Sequence, residues 1–102
     1  MKRRVVERVP ASINVRLLNG ETESLGTVKN LSEKGMFIST ELSFPIKQQL
    51  EILFFLKKMV LHLPVNIRSL NKSGEIYNGI GVELINPPQD YIEFVSSLRT
   101  DL

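Results

Sequence analysis

The stretch that decides the fold is Ala11-Ser12-Ile13-Asn14-Val15-Arg16-Leu17-Leu18-Asn19-Gly20. Within it, apolar residues at every second position from Ile13 to Leu17 alternate with polar ones, which is typical of a strand with one buried face. Asn19-Gly20 follows directly and favours a hairpin turn, because both residues tolerate positive φ. The segment therefore predicts an antiparallel hairpin whose second strand runs over residues 23–29.

The same pattern continues along most of the chain. The predicted strands are residues 11–18, 23–29, 36–39, 50–56, 59–70 and 76–85. Pro64 is expected at an edge or a bulge, because proline has no N–H to donate to a ladder. Asn86-Pro87-Pro88 ends the strands, and from Gln89 onward apolar residues recur at helical spacing. Six short strands and one terminal helix predict a mainly all-β fold, a six-stranded antiparallel β-barrel with a C-terminal α-helix.

Length and composition indicate a single small domain. The chain has 102 residues, 42% of them hydrophobic and 24% charged, which is the balance of an ordinary globular protein. We expect a flexible arginine segment over residues 1–9 and one barrel domain over residues 10–102, with the helix from about residue 89. No apolar run approaches the roughly 20 residues that cross a bilayer, and no secretion signal is visible. There are no cysteines. A cytoplasmic protein without membrane insertion is therefore expected.

Positive charge is concentrated at the start of the chain. The formal net charge is only +2, too small for a general nucleic-acid binder. Lys2, Arg3, Arg4 and Arg8 against Glu7 nevertheless give the first eight residues a charge of +3, and the remainder is close to neutral. Such an asymmetric field favours attraction of a small anion to one end of the molecule.

The residues that enzymes need are not grouped in this sequence. His62 is the only histidine and is expected on a solvated or edge-facing strand position. The carboxylates are scattered, no serine has a nucleophile-elbow context, and no phosphate-binding glycine loop occurs. We therefore expect a binding protein rather than an enzyme, with no metal and no cofactor.

Two short polar segments carry the candidate chemistry. Arg4 and Arg8 place two guanidinium forks four residues apart, and such forks bind phosphate in a bidentate manner or bond to a guanine edge. Asn30 and Ser32 offer short hydrogen-bonding side chains, and Gly35 suits a positive-φ turn or close approach of a ligand. Taken alone, the first segment is more commonly a basic tail and the second an ordinary β-turn. Their conjunction favours an anion-binding site.

This conjunction resembles the PilZ domain, the bacterial receptor for the second messenger cyclic di-GMP. Arg4-Val5-Val6-Glu7-Arg8 has its RxxxR pattern, and after a predicted strand pair Asn30-Leu31-Ser32-Glu33-Lys34-Gly35 has its NxSxxG pattern. Met36-Phe37-Ile38 and Gly79-Ile80-Gly81-Val82-Glu83-Leu84 also match apolar strands of the family, so that the resemblance covers nearly the whole chain.

The resemblance implies a six-stranded barrel whose arginine segment folds over the ligand. In this chain, Arg4 and Arg8 would bind the phosphates and guanine edges. Asn30, Ser32 and Gly35 would form the floor on the barrel and contact a guanine.

Two positions modify what the resemblance implies. Arg3, at a variable position before the motif, would be associated with a stacked pair of ligand molecules, so that binding of one or of two molecules stays open. Asn30 stands where the family more often has aspartate, which removes a negative charge near the phosphates.

The leading hypothesis is a stand-alone receptor for nucleotide signalling that changes conformation on binding and regulates an unidentified protein partner. Because the first motif begins at Arg4, we expect the output to come from the barrel surface, the helix or the ordered N-terminus. One alternative is a PilZ-like adaptor that does not bind nucleotide. Another is a small barrel for single-stranded nucleic acid, which the 7% aromatic content and the absence of tryptophan disfavour. Monomer and homodimer both stay open.

Overall fold

A computed structural model describes residues 8–42 and 47–100 of the chain. In chain order the elements are β1 (Val9–Asn19), β2 (Thr22–Leu31), β3 (Gly35–Leu42), β4 (Gln49–Leu56), β5 (Met59–Ser73), β6 (Ile76–Leu84) and α1 (Gln89–Thr100). The predicted six antiparallel strands and the terminal helix are therefore confirmed. Most of the segment predicted to be flexible, residues 1–9, lies outside the described residues, and Val9 already belongs to β1.

The six strands form a closed barrel in the order β1-β2-β3-β6-β5-β4, and every neighbouring pair is antiparallel. The predicted hairpin is present, with Asn19 opposite Thr22 and Gly20 at a φ of 68°. Closure comes from pairing of β1 with β4, and β3 lies beside β6, so that Gly35 is opposite Glu83. The end of β6 thus meets the segment between β2 and β3.

The core fills the barrel with the inward residues of each strand, and α1 covers one end. Phe54 and Tyr91 are both fully buried, with ring centroids 5.6 Å apart and ring planes at 85°. Phe94, which lies on α1 like Tyr91, packs edge-on against Phe54 with ring centroids 5.7 Å apart. Such edge-to-face contacts add to the burial of large rings. Val95 of the same helix is also fully buried, so that α1 is held by aromatic and aliphatic side chains together.

Pro64 does not lie at an edge or a bulge. It pairs with Glu51 inside β5, and the β4–β5 register is continuous there. Its backbone faces β6 just beyond Leu84, where the N–H of Ile85 donates to the Pro64 carbonyl at 2.9 Å. The proline is tolerated because the ladder ends beside it, so that few hydrogen bonds are lost.

Candidate ligand-binding site

Arg8 connects the two polar segments that the sequence singles out. Its Nη1 donates to Oδ1 of Asn30 at 3.1 Å, although the residues are 22 positions apart. Its Nη2 lies 3.4 Å from the point that a Cβ on Gly35 would occupy. The guanidinium therefore lies over the start of β3 and beside the end of β2. Arg3 and Arg4, the other predicted arginines, lie outside the described residues.

A bulge in β2 turns Asn30 toward Arg8. The β2–β3 register shifts between Val28 and Asn30, so that Lys29 is an extra residue in β2. Val28 and Leu31 are both fully buried, whereas regular alternation from Val28 would point Asn30 into the core. Bulges commonly redirect a side chain in this way. Asn30, which lies just beyond the strand predicted over residues 23–29, belongs to β2 and reaches the surface because of this bulge.

The turn that follows is held by its own backbone. The Ser32 N–H donates to the Gly35 carbonyl at 2.8 Å, and the Ser32 Oγ accepts from the Lys34 N–H at 3.2 Å. The Leu84 N–H donates to the Lys34 carbonyl at 2.8 Å, which ties the turn to β6. Because the Ser32 hydroxyl accepts within the turn, its own proton is available to an acceptor in the adjacent cavity.

Gly35 is required by the approach of β6 rather than by an unusual φ. A Cβ there would lie 2.4 Å from the carbonyl oxygen of Val82, which is backbone and has little freedom to move. Among the described glycines, positive φ occurs at Gly20 and Gly74. A side chain at position 35 would therefore separate β3 from β6 and shift the turn.

The two segments and the end of β6 enclose a cavity of about 340 Å³. Its lining residues are Arg8, Ser32, Lys34, Gly35, Arg68, Val82 and Glu83. Three cationic side chains against one carboxylate favour an anionic ligand. A larger groove of about 590 Å³ runs over β2 and β3, but no arginine or lysine lines it. Of these two, the smaller cavity is the one lined by cationic side chains.

Sequence reasoning did not identify three of the charged residues that line this cavity. Lys34 lies inside the second motif, at a position whose side chain the pattern leaves open. Arg68 and Glu83 belong to β5 and β6 and reach the cavity only through strand pairing. Their location in sequence carries no local signal of this role.

Helix α1 is bonded directly to the turn. The Tyr91 hydroxyl donates to the Ser32 carbonyl oxygen at 2.7 Å, in a buried position. Arg99 makes a bidentate contact with Glu33, from Nε at 3.0 Å and from Nη2 at 2.8 Å. The hydrogen bond from Arg99 lowers the pKa of Glu33, and burial raises the pKa of Tyr91. At neutral pH Tyr91 is therefore a hydroxyl donor and Glu33 a carboxylate.

Away from the cavity, His62 pairs with a carboxylate on the neighbouring strand. His62 is exposed on β5, and its Nδ1 lies 2.8 Å from Oε2 of Glu51. Within residues 8–42 and 47–100 no group of three or more metal-ligating side chains gathers. In the same part of the chain, no helix is long and apolar enough to span a membrane.

Comparison with known proteins adds a family and a fold. A family model of the PilZ domain matches residues 2–98. No curated protein sequence matches the chain significantly.

Among solved structures, the chain is similar to the PilZ domain of CeSA from a cellulose-synthesizing bacterium. The TM-score is 0.68 at 24% identity, over 91% of this chain and 98% of that one. The PilZ domain of YcgR from Escherichia coli with c-di-GMP has a TM-score of 0.68 at 15% identity, over 98% of this chain and 94% of that one. PlzA from Borreliella burgdorferi in complex with c-di-GMP gives 0.71 at 16% identity, over 95% of this chain and 41% of that one. These likenesses show a shared fold.

Proposed function

Because this chain belongs to the PilZ domain family, we propose that it is a receptor for cyclic di-GMP and binds the nucleotide at the cavity beside Arg8. The observation that carries the proposal is the 3.1 Å hydrogen bond between Arg8 and Asn30. It joins one residue of each motif at the rim of a cavity that is rich in cations. Two similar structures, of YcgR and of PlzA, contain c-di-GMP.

The arginines and the residues of the turn have different roles in this proposal. Arg8 and Arg4 contribute planar forks that bind phosphate oxygens and guanine O6 and N7. The Ser32 hydroxyl donates a hydrogen bond to the ligand. Gly35 has no side chain, so that the ligand can approach the backbone closely. Arg3 supplies a further planar cation that packs on a guanine, which would allow a second ligand molecule to stack on the first.

The size of the cavity suits part of the dinucleotide. Its volume of about 340 Å³ is near the lower end of the range of roughly 300–1,000 Å³ for ligand pockets. One guanylate half fits such a space, and the other half would lie against the arginine segment that precedes β1. Closure of that segment over the ligand would be the conformational change that carries the signal.

The output of the receptor would be a changed surface for a protein partner in the cytoplasm. The turn that contacts the ligand is bonded to α1 through Tyr91 and Arg99. A shift of the turn on binding would therefore also move the helix. The protein would act by binding rather than by catalysis, as a monomer or as a homodimer.

Isothermal titration calorimetry with cyclic di-GMP tests this proposal. Wild-type protein should bind, and Arg8→Ala should lose about tenfold to a hundredfold in affinity, because hydrogen bonds to charged groups contribute roughly 1.5–3 kcal/mol each. Arg4→Ala should have an effect of similar size. The matched control is Arg16→Ala, since Arg16 is an exposed arginine of β1 that pairs with Glu23 and lines a different groove.

Absence of heat at tens of micromolar nucleotide would refute the proposal and would leave the nucleotide-independent adaptor. Equal losses for Arg8→Ala and Arg16→Ala would refute the assigned site. A gel shift with single-stranded oligonucleotides would separate the nucleic-acid alternative, and a pull-down with and without cyclic di-GMP would look for the partner.

A further inference from the structure

Arg68 is the extra residue of a second bulge, and it lies in the wall of the cavity. Along the β5–β6 ladder Ile67 is opposite Val82 and Ser69 is opposite Gly81, so that no residue of β6 lies opposite Arg68 in the ladder. Bulges are enriched beside functional sites, where they redirect a side chain. Here the extra residue is an arginine, and its side chain lines the same cavity as Arg8 and Gly35.

Arg68 forms an ion pair with Glu83 at the cavity wall. Its Nε donates to Oε1 of Glu83 at 2.7 Å, and its Nη2 contacts the same oxygen. The two side chains are 65% and 44% exposed, so that a ligand in the cavity can reach both. Because Nε and Nη2 contact the carboxylate, the N–H groups of Nη1 take no part in this pair and remain donors for a ligand. The wall thus presents a donor next to an acceptor.

This pair suits a base better than a phosphate. Its net charge is close to zero, and the Glu83 carboxylate would repel a phosphate oxygen nearby. The Watson–Crick edge of guanine carries the O6 acceptor beside the N1–H and N2–H donors. A guanidinium donor beside a carboxylate acceptor complements that edge. Held in the same glycosidic orientation, adenine presents a donor at N6 beside an acceptor at N1, which is the reverse of the order that the pair requires.

We propose that Arg68 and Glu83 recognise the Watson–Crick edge of one guanine and thereby make the site selective for guanine over adenine dinucleotides. This inference rests on the proposed function, since it deepens the specificity of the same cavity. Arg8 and Lys34 then bind the phosphates, and the Arg68–Glu83 pair binds the base.

Glu83→Gln gives a test in which the two possible roles have opposite signs. If the pair reads guanine, this variant weakens cyclic di-GMP binding by about tenfold, because one charged acceptor of the base is lost. If Arg68 is only a phosphate anchor, removing the neighbouring carboxylate frees it and tightens binding of any cyclic dinucleotide. Calorimetry with cyclic di-GMP and with cyclic di-AMP, which share the same phosphates, measures both cases.

Wild-type protein should prefer cyclic di-GMP over cyclic di-AMP by at least about tenfold, and Glu83→Gln should reduce that ratio. Arg68→Lys, which keeps the charge but loses the fork, should also reduce it. Glu23→Gln is the matched control, since Glu23 pairs with Arg16 at 2.5 Å on another face and has the same 44% exposure. That variant should leave both affinities unchanged.

Thermal melts monitored by circular dichroism establish that each variant is folded. If Glu83→Gln does not fold, the affinities of Arg68→Lys for the two nucleotides test the proposal instead. Wild-type protein that binds neither nucleotide would overturn the proposed function and this inference together. Wild-type protein that binds cyclic di-GMP would leave the proposed function standing. In that case equal affinity for cyclic di-AMP, or tighter binding by Glu83→Gln, would overturn this inference alone.

Discussion

Removing the Tyr91 hydroxyl should destabilise the protein through a single buried hydrogen bond. In Tyr91→Phe the ring remains, together with its contact with Phe54 at 5.6 Å. What is lost is the donor to the Ser32 carbonyl at 2.7 Å, in a position with no access to solvent. The change therefore isolates the buried hydrogen bond, which joins α1 to the turn together with the Arg99–Glu33 pair.

The size of the effect follows from leaving a buried acceptor without its donor. Such a loss costs about 1–3 kcal/mol. A 102-residue domain unfolds with an entropy of about 0.2 kcal/mol/K, so that Tm should fall by about 5–14 °C. Ser97→Ala is the matched control, because Ser97 Oγ donates to the Phe94 carbonyl, also at 2.7 Å, on the exposed face of α1. Its cost should stay below about 0.5 kcal/mol.

The pH dependence of the same pair of proteins provides an independent check. Burial raises the pKa of Tyr91 above its ordinary value of 10.0, so that the folded phenol keeps its proton while the unfolded one ionises. Its contribution is therefore complete below pH 10 and is lost as the pH rises above it. At pH 11 the advantage of wild type over Tyr91→Phe should shrink by about 1.4 kcal/mol.

Urea unfolding of both proteins at pH 7 and pH 11 measures the two differences. A loss for Tyr91→Phe no larger than that for Ser97→Ala would refute the claim that this hydrogen bond holds α1 to the site. Parallel decreases of wild type and Tyr91→Phe between the two pH values would refute the assignment of a buried, neutral phenol.

Three further changes test other parts of the structure. Gly35→Ala should cost about 1–3 kcal/mol in thermal unfolding, because its Cβ would meet the β6 backbone; an unchanged Tm would contradict that contact. Glu33→Gln should lose up to about 1 kcal/mol at pH 7. Because Arg99 lowers the pKa of Glu33 below its ordinary 4.5, wild type should lose this advantage as the pH falls below that value, and a constant difference would exclude the pair. Phe54→Ala should cost about 3–5 kcal/mol in urea unfolding, and a smaller loss would indicate that the core refills.

The candidate residues that could be predicted from the sequence are those that belong to local motifs. RxxxR and NxSxxG point to Arg8, Asn30, Ser32 and Gly35, and the structure brings these four residues together. The reason for Gly35 could not be predicted, because the Val82 carbonyl that excludes a side chain comes from a distant strand.

Arg68 and Glu83 could not be assigned to the site from sequence for a related reason. Position 68 points outward by the regular alternation of β5, but it reaches Glu83 and Gly35 only through the pairing of β5 with β6 and of β6 with β3. The facing of Asn30 depends on a bulge in β2. A period-two pattern contains no information about where a ladder takes in an extra residue.

The sequence by itself determined the number of strands, the first hairpin and the terminal helix, because alternation, turn residues and helical spacing are local properties of the chain. Only the tertiary structure decided the order in which the strands close, with β3 beside β6 and β1 beside β4. Those pairings join residues far apart in sequence and are selected by burial of the shared core. The cavity lies where β3 and β5 both pair with β6. Arg8 could therefore be predicted from a local motif, whereas Arg68 and Glu83 are brought to the opposite wall by strand pairing.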